Sequence, residues 1–351
     1  MASATKKYYD ELNIFRAIVI IWVIIGHSFD AQQDFPGYLH HYAYSFHMKA
    51  FFILSGLLFA AALRRIDGVR SAAALTGKRF VRIMVPYFFF TAVSYVLKFF
   101  LEKYANNPLS HTIITDALLG RNNPNGGLWF LYTLFWLNVL AILLHRLPAW
   151  LSLLLSAVLF VLRMYTGWLS YPIIGNVSAY AVYFFLGLFL AAYYEKISVA
   201  VGAAFKKHRA LMTTVTLLLT AGSFAAVYFH FIGKIHFPFN TVLFALANTA
   251  VAYLFAWLLS SIRPAKCFTM TIGKYGMDIY MLGYYVQITL RVVLMSMLGL
   301  PYAVYSAAMC ICGLLVPIPI SKYIIRKFRI TRLLVLGDYS KKEVKQDEQK
   351  A

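Results

Sequence analysis

The chain has 351 residues, 61% of them hydrophobic and 13% charged, with a mean hydropathy of +0.68. That hydropathy excludes a soluble globular domain. The formal net charge is +20, but the Lys and Arg fall in short segments between apolar spans, so the expected surroundings are membrane lipids and not nucleic acid.

In chain order, ten apolar spans are predicted at roughly 12–29, 43–63, 83–101, 126–144, 149–167, 173–194, 210–229, 239–260, 276–298 and 302–321. Each approaches the twenty or so residues needed to cross the hydrocarbon core. Arg163 and Arg291 make spans five and nine less clean. The first run is too long for a signal-peptide core and has no small-residue cleavage site after it, so no cleavable signal is expected. With the N-terminus inside, 25 of the 33 Lys and Arg lie in inner segments and three (Lys103, Arg121, Lys234) in outer loops. By the positive-inside rule both termini are expected to be cytoplasmic. The predicted fold class is therefore an all-α polytopic membrane protein. Residues 1–321 form one membrane domain. Residues 322–351 form a basic cytoplasmic tail, expected to be disordered over its charged end, Asp338 to Ala351. Cys267, Cys310 and Cys312 have neither metal-ligand spacing nor a disulfide framework, so no metal is expected.

Span one carries Arg16 and His27. Eleven residues at about 100° each bring them within roughly 20° on the helix surface. The helical rise sets them about 16 Å apart along the axis. Ionisable groups inside a membrane usually face a cavity or the bundle interior. The competing reading has Arg16 snorkelling to one interface and His27 capping the other end. Asp30 follows His27 at i+3, close enough to orient an imidazole and stabilise its protonated form if the helix persists. Such a pair can deprotonate a hydroxyl for attack on an acyl group.

Span two opens Tyr42-Ala-Tyr-Ser-Phe-His47-Met-Lys49, which puts His47 at a depth similar to His27. Ser55-Gly56 is a small pair that permits close helix approach. The inner segment then gives Arg79-Phe80-Val81-Arg82-Ile83-Met84-Val85-Pro86-Tyr87. Arg79 and Arg82, three apart, are expected on one face, and arginine forks suit phosphate. Lys78 reads as membrane anchoring.

These segments together resemble the acyltransferase 3 family of integral membrane acyltransferases. The match is Arg16 with ten residues before His27, then HMKAFFILSG, then RFVRIMVPY, then Gly127-Leu128-Trp129-Phe130-Leu131. It covers most of the chain, and ten spans is the number expected of that family. The flavour is closest to the sugar O-acetylase branch, with Lys49 replacing the usual proline. The resemblance implies an acyl donor, usually acetyl-CoA, taken from the cytoplasm. It also implies transfer to a hydroxyl of a cell-surface glycan or its lipid-linked precursor, in the bacterial cytoplasmic membrane. It places Arg16, His27, Arg79 and Arg82 in the functional set. His27, oriented by Asp30, would be the general base, or would itself carry the acyl group transiently. Arg16, Arg79 and Arg82 would bind coenzyme A phosphates or polarise the thioester carbonyl. His47, Trp129, Tyr284, Gln287 and Arg291 are candidate acceptor contacts. The late family motif often reads GxxSxxIYLxH. Here its Ser is Gly276 and its terminal His is Gly283, which speaks against a second histidine acting from span nine. The rival reading is a transporter or flippase for a glycolipid or small anion, whose pathway the same charges would line.

Overall fold

The computed structural model describes residues 9–30, 34–100, 112–166, 172–234 and 240–339. Among these residues there are helices and no strands. Among the described residues nine helices are long and apolar enough to cross a membrane, and a further apolar helix, Ala149–Tyr165, has 17 residues. At about 1.5 Å per residue that shorter helix spans roughly 26 Å, near the lower limit for a transmembrane segment. The protein is an all-α polytopic membrane protein.

The chain forms two compact units. The first comprises residues 1–54 and 193–315. Its centre is α1 (Asp10–Ser28), which packs against α11 (Asn240–Ser260), α12 (Arg263–Lys274), α13 (Gly276–Leu290) and α14 (Tyr302–Leu315). The sequence of α1 is apolar on nearly every face, as burial on all sides requires. Ile14, Ala17, Val19 and Ile20 have no exposed surface. The first part of α2 (Phe35–Leu63) adds an aromatic cluster, in which Tyr42 stacks on Phe224 of α10 (Arg209–Phe231) at 3.9 Å and Trp22 of α1 leans on Tyr42 at 4.8 Å.

The second unit comprises residues 55–192 and 316–351. In it α7 (Ala149–Tyr165) and α6 (Trp129–Leu143) pack on α8 (Pro172–Leu190). Gly56 makes the close approach expected of the Ser55-Gly56 pair: a Cβ there would fall on the Phe184 carbonyl oxygen. The unit also contains α3 (Val69–Arg79), a π-helical turn over Phe80–Met84, and α4 (Val85–Phe100), continuous as one 32-residue rod.

Several segments read from sequence as loops are helical. Span two begins at Phe35, well before residue 43, because Pro36 fits the first turn and the Asp34 carboxylate accepts the Gly37 N–H at 2.7 Å. Segments 64–82, 195–209 and 261–275 contain α3, α9 (Tyr194–Lys207) and α12. Each places Lys or Arg beside apolar residues, a pattern suited to lying along an interface. In 102–125, the described part holds α5 (Ile113–Leu119), closed by Gly120 at φ +64°. Residues 329–336 of the basic tail form a final helix, α16 (Arg329–Leu336), following α15 (Pro317–Ile320) and a π turn over Ser321–Ile325. The charged end of the tail beyond Tyr339 lies outside the described residues.

Candidate active site

In the first unit Arg16 and His27 share the uninterrupted helix α1, so the expected separation of about 16 Å along one face stands. Arg16 is half-buried and lies against the start of α13. A methyl group at Gly276 would sit 3.2 Å from its Cδ. The glycine found where the family motif often has serine therefore leaves room for the Arg16 stem.

His27 occupies the last turn of α1. Its Nδ1 lies 3.4 Å from the Tyr44 hydroxyl of α2, and the two rings meet edge to face. Tyr44 is itself held on three sides. His40 stacks on it at 4.2 Å, and His47 meets it edge-on at 4.9 Å. The Lys49 ammonium donates to its backbone carbonyl at 2.8 Å. Lys49 thus tethers Tyr44 at the position where the family usually has proline. His40 also bonds the Gly26 and Phe29 carbonyls through Nδ1, at 2.8 and 3.0 Å. The Gly26 carbonyl is among the last of α1 and the Phe29 carbonyl follows the helix end, where intrahelical donors are lacking. His47 is 1% exposed, and its Nδ1 is bonded to the Ala43 carbonyl of its own helix, so it backs Tyr44 from inside the unit.

The pairing expected between His27 and Asp30 is not formed. The helix ends at Ser28 and Phe29 is extended (φ −112°, ψ 142°), so Asp30 leaves the i+3 position. Its carboxylate accepts from Arg291 Nη2 at 2.8 Å, and its N–H donates to the Tyr302 hydroxyl at 2.9 Å. Gln287 is also engaged. Its Nε2 donates to the Ile24 carbonyl at 2.9 Å and to Ser28 Oγ at 2.7 Å, tying α13 to α1. Both of its amide protons are used there, which leaves only its carbonyl for an acceptor. Tyr284 is half-buried beside Tyr285, with ring centroids 5.5 Å apart. Gly283, where the family often has histidine, is a crossing point. A methyl group there would lie 2.8 Å from Ile24 Cδ1 and 2.9 Å from the Gly313 carbonyl oxygen.

In the second unit Arg79 and Arg82 flank the start of the π turn. Pro86 lacks the N–H that a regular helix would return to the Arg82 carbonyl, and the preceding turn widens to π register. The two side chains take different partners. The Arg79 guanidinium lies over the Phe59 ring at 4.4 Å. Arg82 is exposed and donates from Nη1 to the Leu336 carbonyl at 2.7 Å. Lys78 is exposed. Trp129 is half-buried at the head of α6, its ring 5.0 Å from Tyr180.

The acyltransferase domain model of the acyltransferase 3 family matches residues 9–322. The chain belongs to that family. Comparison with curated proteins and with solved structures yields no match. As an acyltransferase 3 protein it is a membrane acyltransferase, and the motif helix α1 and the Arg79–Arg82 segment both fall inside the matched residues. Sequence reading passed over Tyr44 and His40 as site residues. The available signal was their spacing on α2, since His40, Tyr44 and His47 recur at i, i+4 and i+7 on one face.

Proposed function

We propose that this acyltransferase moves an acetyl group from acetyl-CoA to a hydroxyl of a cell-surface glycan or its lipid-linked precursor, in the bacterial cytoplasmic membrane with both termini cytoplasmic. The observation that carries the reading is His27 with Nδ1 turned toward the Tyr44 hydroxyl. In the tautomer that donates from Nδ1, Nε2 keeps its lone pair.

The chemistry follows from that lone pair. The acceptor oxygen bonds to the thioester carbonyl carbon while its proton passes to His27 Nε2. The carbon–sulfur bond then breaks, and the departing thiolate takes the proton back from the imidazolium. Arg16, about 16 Å away along α1, is too distant to touch the same carbonyl. Its role is with the anionic part of the donor, reached by an extended pantetheine arm. Arg79 and Arg82 supply guanidinium donors to coenzyme A phosphates. Trp129 offers a ring face for a sugar.

The test is release of free coenzyme A from acetyl-CoA by the purified protein, supplied with a glycolipid extract as acceptor. Release by the native chain and none by His27→Ala is expected. A chain that moves glycolipid or anions and leaves the thioester intact would favour the transporter reading and overturn this one.

A further inference from the structure

Helix α16 lies beyond the residues matched by the family. It packs against α4 in the second unit, with Arg332, Val335 and Leu336 buried. It ends in a left-handed turn at Gly337 (φ 60°, ψ 28°), whose N–H returns to the Leu333 carbonyl at 2.9 Å. The Asp338 carboxylate lies 3.6 Å from Arg332 Nε and closes the same turn. The last carbonyls of any helix lack intrahelical donors, and the negative end of the helix dipole favours a cation. Arg82 fills that position through the 2.7 Å bond to the Leu336 carbonyl.

The contact leaves no room for a side chain. A Cβ at Gly337 would lie 2.6 Å from both Arg82 Cα and the Arg82 carbonyl oxygen, and would overlap the Val81 carbonyl oxygen. Glycine is needed here twice, for the left-handed backbone and for the close approach. A guanidinium has five N–H donors in a rigid fork. One is used on Leu336, which anchors Nη1 and leaves the rest of the fork presented from an exposed side chain.

We infer that the end of α16, Leu336–Gly337, is a positioning element for the acyl donor: it orients the Arg82 guanidinium toward a phosphate of acyl-CoA. The inference rests on the donor-site reading above and adds to it an element from outside the family domain. Leu336 and Gly337 act through Arg82 and touch no substrate.

The experiment measures coenzyme A binding by the full chain purified in detergent. Gly337→Asn keeps a residue that tolerates the left-handed region but introduces the Cβ. Its dissociation constant is expected to rise at least tenfold. In an Arg82→Ala background the same change is expected to add less than twofold, because the route through Arg82 is already gone. Gly337→Ala, the smallest intrusion, serves if Gly337→Asn does not fold, with a smaller shift of the same sign. Native-like binding by the folded Gly337 variants would overturn the inference while leaving the donor-site reading in place. So would losses that multiply independently with Arg82→Ala. No coenzyme A binding by the native chain would instead remove the donor-site reading, and the inference with it.

Discussion

Arg291 and Asp30 meet at 2.8 Å where α1 gives way to extended chain and α13 passes into a π-helical turn over Arg291–Met297. The carboxylate is therefore committed to a guanidinium, and His27 must take its orientation from elsewhere. Asp30→Asn is expected to lower turnover less than about twofold. Both side chains are about a third exposed, so the pair should contribute only about 0.2–1 kcal/mol. A thermal-stability double-mutant cycle with Arg291→Gln should return a coupling in that range. A loss of activity in Asp30→Asn as deep as in His27→Ala would restore the His27–Asp30 dyad.

Tyr44 should matter more than Asp30. Tyr44→Phe removes the hydroxyl beside His27 Nδ1 and keeps the ring between His40 and His47. A single net hydrogen bond of about 0.5–1.5 kcal/mol predicts a fall in kcat of roughly two- to tenfold with an unchanged KM for acetyl-CoA. His27→Ala should abolish transfer at native expression and thermal stability. Steady-state kinetics on the two variants checks both.

The two glycines of α13 should respond in opposite ways. Gly276 faces the flexible stem of Arg16, which can shift by a few tenths of an ångström, so Gly276→Ser should fold and keep activity. Gly283 faces a backbone carbonyl and the end of Ile24 in a close crossing. Gly283→Ala should cost about 1–3 kcal/mol through overpacking, and Gly283→His should not accumulate as folded protein. Melting in detergent separates the three variants.

At the donor end, Arg82→Ala should weaken acyl-CoA binding by about 1.5–3 kcal/mol, the range for hydrogen bonds to a charged group. Arg82→Lys should recover only part of this, because the fork is lost. Lys78→Ala should change little. Titration of acyl-CoA against the three variants decides the matter, and equal losses for Lys78 and Arg82 would indicate a diffuse basic surface.

The membrane spans were legible because about twenty apolar residues in a row leave a helix few alternatives in lipid. The helices α3, α9 and α12 were not, since short mixed segments of Ala, Ser, Lys and apolar residues read equally well as loops. Arg16 and His27 stood out as ionisable groups at helical spacing. Asp30 misled because i+3 geometry holds only while the helix continues, and one extended residue, Phe29, ends it. Tyr44 carried little signal of its own in a chain with 25 tyrosines, and stood out only through its helical spacing with His40 and His47. The docking of α16 on Arg82 joins residues 254 apart in sequence, and no local pattern announces such a contact.

The enclosure of α1 by neighbouring helices has a consequence for how the chain can vary. A membrane helix usually has one side against lipid, where one greasy residue substitutes for another at little cost. α10 has such a side, with Leu211, Leu217, Leu218 and Leu219 all more than 40% exposed. Most of α1 is buried in protein, so even exchanges among Val, Ile and Leu must be accommodated by a close-packed neighbour. A saturation scan should therefore find α1 intolerant around most of its circumference, while α10 accepts hydrophobic exchanges along its open stripe.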